Sequence, residues 1–307
     1  MTAPTLTIGS RASPLALAQS RLVAAALEEA HGWPRGNVAI HGVTTSGDRI
    51  QDRPLAAVGG KALWTKELDL ALLAGETQVS VHSMKDVESE RPDALRIAAM
   101  LPRADVRDRL IGATSVDALP QGARVGTSSP RRAAQLLRLR PDLAILPIRG
   151  NVDTRIAKRE AGEVDATLLA AAGLDRLGKG EVGAPMSIGE LLPAPGQGAI
   201  GIECRTDDAK TAALLAAIDY RETRLAVEAE RAFARALGGT CHSPVGAYAR
   251  VEEGSILFAA ELLSNDGRDR LFRDTRFAIG DLSGPAELAR DMLAAAPATI
   301  RRLFEGR

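Results

Sequence analysis

Apolar and polar positions along this chain follow two rhythms, and their order predicts its elements. Short apolar runs read as strands: "LTIG" (6–9), "VAIHGV" (38–43), "VSVHS" (79–83) and "LRIAAM" (95–100). Between them, apolar residues recur every three or four positions, the spacing of a helix with one buried face. Ser13 caps the first helix, Pro14 takes its first position, and Gly32 follows its end near Ala30. A serine oxygen satisfies a free N–H at that end, and proline has none to lose. "WTKELDLALLAGE" (64–76) is the next helix, again with a glycine stop. Such alternation predicts βα units around a largely parallel sheet.

The pattern restarts after "LPRADVRDR". "ARVGT" (123–127), "LAILPI" (143–148) and "ATLLAAAG" (166–173) read as strands, Ser129-Pro130 opens a helix, and "NVDTRIAKREAG" forms another. Ser13–Gln19 and Ser129–Gln135 share S-P-x-x-x-A-Q. That echo fits two α/β domains of similar topology, each aiming a helix N-terminus at a shared cleft. From about Glu222 the character changes. A long helix, "RETRLAVEAERAFARAL", precedes three alternating strands, "VGAYARV", "SILFAAELL" and "LFRDTRFAI", and a helix from about Pro285. That is a small α+β domain, with "SNDGR" as a turn.

Composition narrows the function. Lys plus Arg equals Asp plus Glu at 39 each, so no global field draws nucleic acid or membrane, and any anion site must be a local cluster. The two Trp, two Tyr and five Phe are too few for base-stacking platforms. No run approaches the ~20 apolar residues of a membrane span. The start lacks a basic stretch followed by an apolar one, so no export signal and a reducing cytoplasm are expected. The four histidines, His31, His41, His82 and His242, are not spaced as zinc ligands, no C-x-x-C occurs, and no metal is expected. "GQGAIG" (196–201) spells a dinucleotide fingerprint, but prolines precede it and a strand-like run follows. A hinge is the better reading.

The two cysteines differ. Cys204, in "AIGIECR", reads as a core residue of a strand. Cys241 lies in "GGTCHSPVG", a glycine–proline turn. A surface thiol is an oxidation liability unless something uses it. His242 beside it reads as a turn residue, because adjacent side chains seldom converge on one atom. Arginines mark helix starts: Arg11, Arg131, Arg132, Arg149 and Arg155. Cations are locally unfavourable there. Their repetition suggests guanidinium groups and backbone donors gripping carboxylates or phosphates together. Lys85 and Asp86, in "VHSMKDV", fall just past a strand's C-terminal end, where ligands bind in open α/β sheets.

"GSRASPLALAQ", "TTSGD", "GGKALWTKEL", "VHSMKD", "GTSSPRRAAQL", "RGNVDTR", "AAAGLDRLG", "LPAPGQGAIGIECR" and "GGTCHSPVG" occur in this order along nearly the whole chain. Together they resemble the porphobilinogen deaminase (hydroxymethylbilane synthase) family of tetrapyrrole biosynthesis. The resemblance implies two periplasmic-binding-protein-like α/β domains flanking a cleft, plus the small C-terminal α+β domain. The expected domains are 1–101 with 196–219, 102–195, and 220–307. It implies a transferase that condenses four porphobilinogen molecules head-to-tail on a dipyrromethane primer, releasing ammonia and then, by hydrolysis, hydroxymethylbilane. The dipyrromethane is implied to be held by a thioether at Cys241, a bond that resists exchange where a disulfide would not. Asp86 matches the family's catalytic aspartate, with Lys85 beside it. Ser13, Lys85, Thr127, Ser129, Arg131 and Arg132 are implied to hold the cofactor. Arg11, Arg149, Arg155, Arg176 and Lys61 are implied to bind substrate carboxylates. "RIQDRPLAAVGGK" (49–61) reads as a flexible cover. A monomer is expected, with its product passed to a cyclising synthase. The chain departs from the family's pattern at Thr240 (Gly in many relatives), Trp64 (Phe) and Glu88 (Pro). A noncatalytic anion-binding protein is the alternative from another class, disfavoured by Asp86 and the cysteine turn.

Overall fold

The computed structural model describes residues 5–43, 62–238 and 243–305. The chain divides into two compact units, 1–104 with 199–224, and 105–198 with 225–307.

The first unit is built on a five-stranded sheet. Its strands are β1 (Leu6–Arg11), β2 (Val38–Val43), β3 (Val79–Ser83), β4 (Leu95–Met100) and β10 (Ile200–Arg205), in the order β2-β1-β3-β10-β4. β1 pairs parallel with β2 and β3, whereas β10 runs antiparallel to both its neighbours. The helix α1 (Pro14–His31) covers one face. Ala16, Gln19, Ser20, Val23, Ala24 and Leu27 are its buried positions, one stripe at helical spacing. Val23 and Leu27 meet Ile8, Val79, Val81, Ile202 and Cys204 in the core. Each large apolar side chain there contributes about 1.5–3 kcal/mol by leaving water. Gly32 ends α1 in the left-handed conformation, φ 62°, the backbone state glycine adopts without strain. α2 (Ala62–Leu73) lies after β2 in sequence and also packs on the sheet.

The second unit repeats the plan. β5 (Asp108–Ile111), β6 (Arg124–Gly126), β7 (Ala144–Leu146), β8 (Ala166–Ala170) and β9 (Ala184–Pro185) assemble as β7-β6-β8-β5-β9. β6 is parallel to β7 and β8, and β5 is antiparallel to its neighbours. With the antiparallel strand left out of the count, each sheet runs second strand, first strand, third strand, and the antiparallel strand lies next to the third. That antiparallel strand is in both cases the first one formed after the chain enters from the other unit. α3 (Pro130–Leu139) and α4 (Val152–Glu160) follow β6 and β7. The same unit contains an antiparallel three-stranded sheet of β11 (Val245–Glu252), β12 (Ser255–Leu263) and β13 (Arg270–Ala278). Phe233, Phe258 and Phe277 meet through its core in tilted and edge-on contacts, with ring centroids 5.4 and 5.6 Å apart. The α/β expectation with a small α+β addition is met.

Two local expectations are corrected. The 166–173 run is strand only to Ala170, and Ala171–Arg176 turns into the helix α5. The alternation that predicts a strand stops paying attention to length here: small residues at 170–173 fit a helix as readily as an edge. "LPRADVRDR", read as a break, contains the start of β5, whose charged residues are accommodated by partners described below.

Candidate functional site

β1 and β3 are parallel neighbours, so their C-terminal ends open on the same side of the sheet. A solvent-open hollow of about 440 Å³ lies there, within the first unit. Arg11, the last residue of β1, lines it, as do Ser13, Gln19, His82, Ser83 and Asp86. Ser13 caps α1, accepting a hydrogen bond from the Ala16 N–H at 3.4 Å. Gln19, buried one turn further on, donates to Ser83 Oγ at 2.7 Å and ties the helix to the end of β3. The chain then makes a 3-10 turn, Met84–Asp86. Met84 is buried, and its N–H donates to the Ala199 carbonyl. A Cβ at Gly201, on adjacent β10, would come within 2.1 Å of Met84 Sδ. Glycine at that position therefore lets the turn seat against the sheet. The turn presents Asp86 half-buried, and among the described residues its carboxylate accepts no hydrogen bond. Lys85 shares the turn.

Behind the hollow lies a buried charge network. His82 Nε2 meets Glu203 Oε2 at 2.9 Å. Arg91 donates to Glu203 through Nε at 2.8 Å and reaches Glu88 at 3.0 Å and Asp69 at 2.5 Å. Thr65 Oγ1, on α2, donates to Glu88 at 3.3 Å. Burial alone would raise Glu203, but hydrogen bonds and charge from His82 and Arg91 outweigh it and lower the carboxyl to about 2. Burial raises Asp69 against the opposing charge of Arg91. Three carboxylates thus face one guanidinium beside His82.

The second unit holds the other described residues of the expected site. Ser129 caps α3 and accepts from the Arg132 N–H at 3.4 Å, as Ser13 does in α1. The Ser129 N–H donates to Thr127 Oγ1 at 3.1 Å. Arg131 and Arg132 are buried, and each donates to Asp108 at 2.7 Å. Gln197 adds a third donor to Asp108 at 2.9 Å. Burial works to raise Asp108, and the charges of Arg132 and Arg131 hold it far below the carboxylate range instead. Burial pulls Arg131 down against the pull of Asp108. The conflict of two cations at one helix start is relieved here by a carboxylate of the protein itself. The Nε atoms of both arginines are buried without an acceptor among the described residues. Arg149 is half-buried before α4, and Arg155 Nε donates to the Gly150 carbonyl at 3.0 Å. Arg176 donates to the Gly198 carbonyl at 2.7 Å, and burial lowers its guanidinium to about 10.

Arg11, Ser13 and Asp86 thus share one hollow. Thr127, Ser129 and Arg132 gather at one helix start. Lys61 and Cys241 lie outside the described residues. Cys204 is fully buried in the first sheet, with burial pushing its thiol up. "GQGAIG" forms a turn with Gly196 and Gly198 at φ 75° and 85°, followed by β10. Sequence reasoning missed Asp108, Glu203 and Arg91. A signal existed for the two glutamines, which end the repeated S-P-x-x-x-A-Q. Gln135, like Gln19, is buried and reaches across its unit, to the Leu192 carbonyl and Glu261.

A sequence model described as "Porphobilinogen deaminase, dipyromethane cofactor binding domain" matches residues 6–213, and "Porphobilinogen deaminase, C-terminal domain" matches 224–295. The chain belongs to the porphobilinogen deaminase family. Among members of that family, the porphobilinogen deaminase of Sphingopyxis alaskensis is 56% identical over 305 residues, covering 97% of this chain and 96% of that one. The porphobilinogen deaminase of Xanthomonas oryzae pv. oryzae is 52% identical over 268 residues, 86% and 88% of the two chains. Solved structures with a related backbone include a nutrient-binding protein from Burkholderia cenocepacia bound to methionine, at 16% identity and a TM-score of 0.43. It is matched over 69% of this chain and 90% of that one. A TRAP periplasmic solute-binding protein from Desulfovibrio salexigens has 10% identity and a TM-score of 0.41, with 71% and 72% covered. No helix among the described residues of this porphobilinogen deaminase family member is long and apolar enough to cross a membrane.

Proposed function

We propose that this chain condenses four porphobilinogen molecules head-to-tail on a dipyrromethane primer, releasing ammonia and finally hydroxymethylbilane. The observation that carries the reading is the Asp86 carboxylate, which has no donor among the described residues, in a hollow beside Arg11 and Ser13. An acceptor left open at a strand's C-terminal end suits a ligand that brings N–H donors, and pyrroles do. The arginines suit the same ligand, since each pyrrole of porphobilinogen carries an acetate and a propionate. Bound, the dipyrromethane supplies the carbon nucleophile, a free pyrrole α-position.

Asp86 holds the pyrrole N–H groups and stabilises positive charge as ammonia leaves, a role for fixed rather than solvent dipoles. Lys85 and Arg11 pair with carboxylates at the same site, with Ser13 as a neutral donor. Thr127, Ser129, Arg131, Arg132, Arg149, Arg155, Arg176 and Lys61 bind the others. Bidentate geometry makes Lys a poor replacement for these arginines. The thioether anchor is Cys241. Cys204, the other cysteine, is walled into the sheet core and has no room for a bipyrrole. We assign the three parts 1–101 with 196–219, 102–195 and 220–307 to catalysis, carboxylate binding and anchoring. The working form is a cytoplasmic monomer whose product passes to a cyclising synthase.

Intact-mass spectrometry of the purified full chain tests this. The expected mass exceeds that of the sequence by one dipyrromethane, and Cys241→Ser abolishes the excess. Active enzyme of unmodified mass refutes the anchor. Absence of hydroxymethylbilane formation from porphobilinogen refutes the function.

A further inference from the structure

We propose that His82, backed by Glu203, is a second acid–base group of this site, taking the proton lost at each carbon–carbon coupling. The proposal rests on the reaction assigned above and deepens it. His82 lines the same hollow as Asp86 and is 6% exposed. Nε2 faces an ionised carboxylate that can only accept, so Nε2 carries the proton. The other nitrogen, Nδ1, has no hydrogen-bond partner among the described residues and stays a bare acceptor.

Charged groups surround the ring. Glu203 approaches from β10, Arg91 and Glu88 from the segment after the Asp86 turn, and Asp69 from α2, and Arg11 and Asp86 line the same hollow. A histidine oriented by a buried carboxylate, with its other nitrogen bare, is the arrangement of a general base.

The step balances as follows. Attack by a pyrrole α-carbon on the methylene carbon of deaminated porphobilinogen forms the C–C bond and leaves a C–H bond on a cationic ring. That C–H bond breaks, its electron pair restores the aromatic ring, and the proton moves to Nδ1. The imidazolium then returns the proton to solvent, where the released ammonia takes it up. Asp86 keeps its negative charge for the pyrrole N–H groups, so each group has one task.

The test uses the full chain with its cofactor and the variant His82→Gln, whose amide can still donate to Glu203. Its intact mass and thermal midpoint are expected to match wild type. Its kcat is expected to fall by roughly 10²-fold or more. With porphobilinogen deuterated at its free α-carbon, the variant is expected to gain a primary isotope effect that wild type lacks, because deprotonation has become slow. Wild-type kcat in the variant, or a fall with no isotope effect, overturns the role. If His82→Gln does not fold, nitrogen NMR of wild-type His82 decides. A resting ring protonated on Nε2 alone supports the proposal; a proton on Nδ1 overturns it. A wild-type chain that makes no bilane fails the proposed function instead, which separates the two ideas.

Discussion

Asp108→Asn keeps the shape of a side chain and removes its charge, and the structure fixes what that costs. Asp108 is fully buried, and the side chains of Arg131 and Arg132 beside it are 4% and 7% exposed. Both guanidiniums donate to it at 2.7 Å. In the variant, two buried cations lose their common counter-charge. Breaking a buried pair in this way costs about 3–5 kcal/mol, a large share of the ~5–15 kcal/mol that stabilises a typical domain. Because Asp108 is held far below its unfolded value, its contribution is fully present above the ordinary carboxylate range and declines as pH falls below it. The penalty is therefore full at neutral pH, begins to shrink only below the ordinary carboxylate range, and disappears as pH falls through the depressed folded value. Hydrogen exchange read by mass spectrometry on peptides from 105–198 reports this unit's opening free energy without assuming that the whole chain unfolds in one step. A loss under ~1 kcal/mol at pH 7 refutes the reasoning.

Three further outcomes are expected. Gly201→Ala drives a methyl into Met84 and should cost ~1–3 kcal/mol by overpacking, with kcat falling as the Asp86 turn shifts. Combined with Met84→Ala it should cost less than the two changes summed, and strict additivity in urea unfolding counts against the contact. Asp86→Asn should retain the dipyrromethane mass and thermal midpoint and lose most of its turnover; near-normal kcat removes the electrostatic role. Glu203, lowered from 4.5 to about 2, stabilises the fold above pH 4.5 and ceases to as pH falls towards 2. Wild-type urea midpoints should drop across that interval more steeply than those of Glu203→Gln, and parallel curves reject the assignment.

Much of the architecture was legible because its signals are local. Ser13 and Ser129 each announce a cap that the structure contains, and the short apolar runs before them are the strands β1 and β6. The antiparallel strands were harder. β10 reads as a strand, but nothing near it in sequence says that it lies between β3 and β4. β5 starts with Asp108 followed by Arg109, a pattern that looks solvent-exposed until Arg131, Arg132 and Gln197 arrive from distant positions to neutralise it. The candidate site divides the same way. Asp86 and Arg11 sit at strand ends, where position alone suggests a ligand. His82 reads as an ordinary strand residue, and only the pairing of β3 with β10 brings Glu203 to its ring.

That late strand also governs the order in which the polypeptide can mature. A ribosome that has released residues up to 104 has delivered β3 and β4 but not the segment that joins them, since β10 begins at Ile200. The 105–198 sheet is encoded without interruption and can close first. Until β10 emerges, the amino-terminal half holds two unsatisfied strand edges, the kind of surface that invites aggregation. A nascent chain stalled near residue 150 should therefore engage chaperones through its oldest segment.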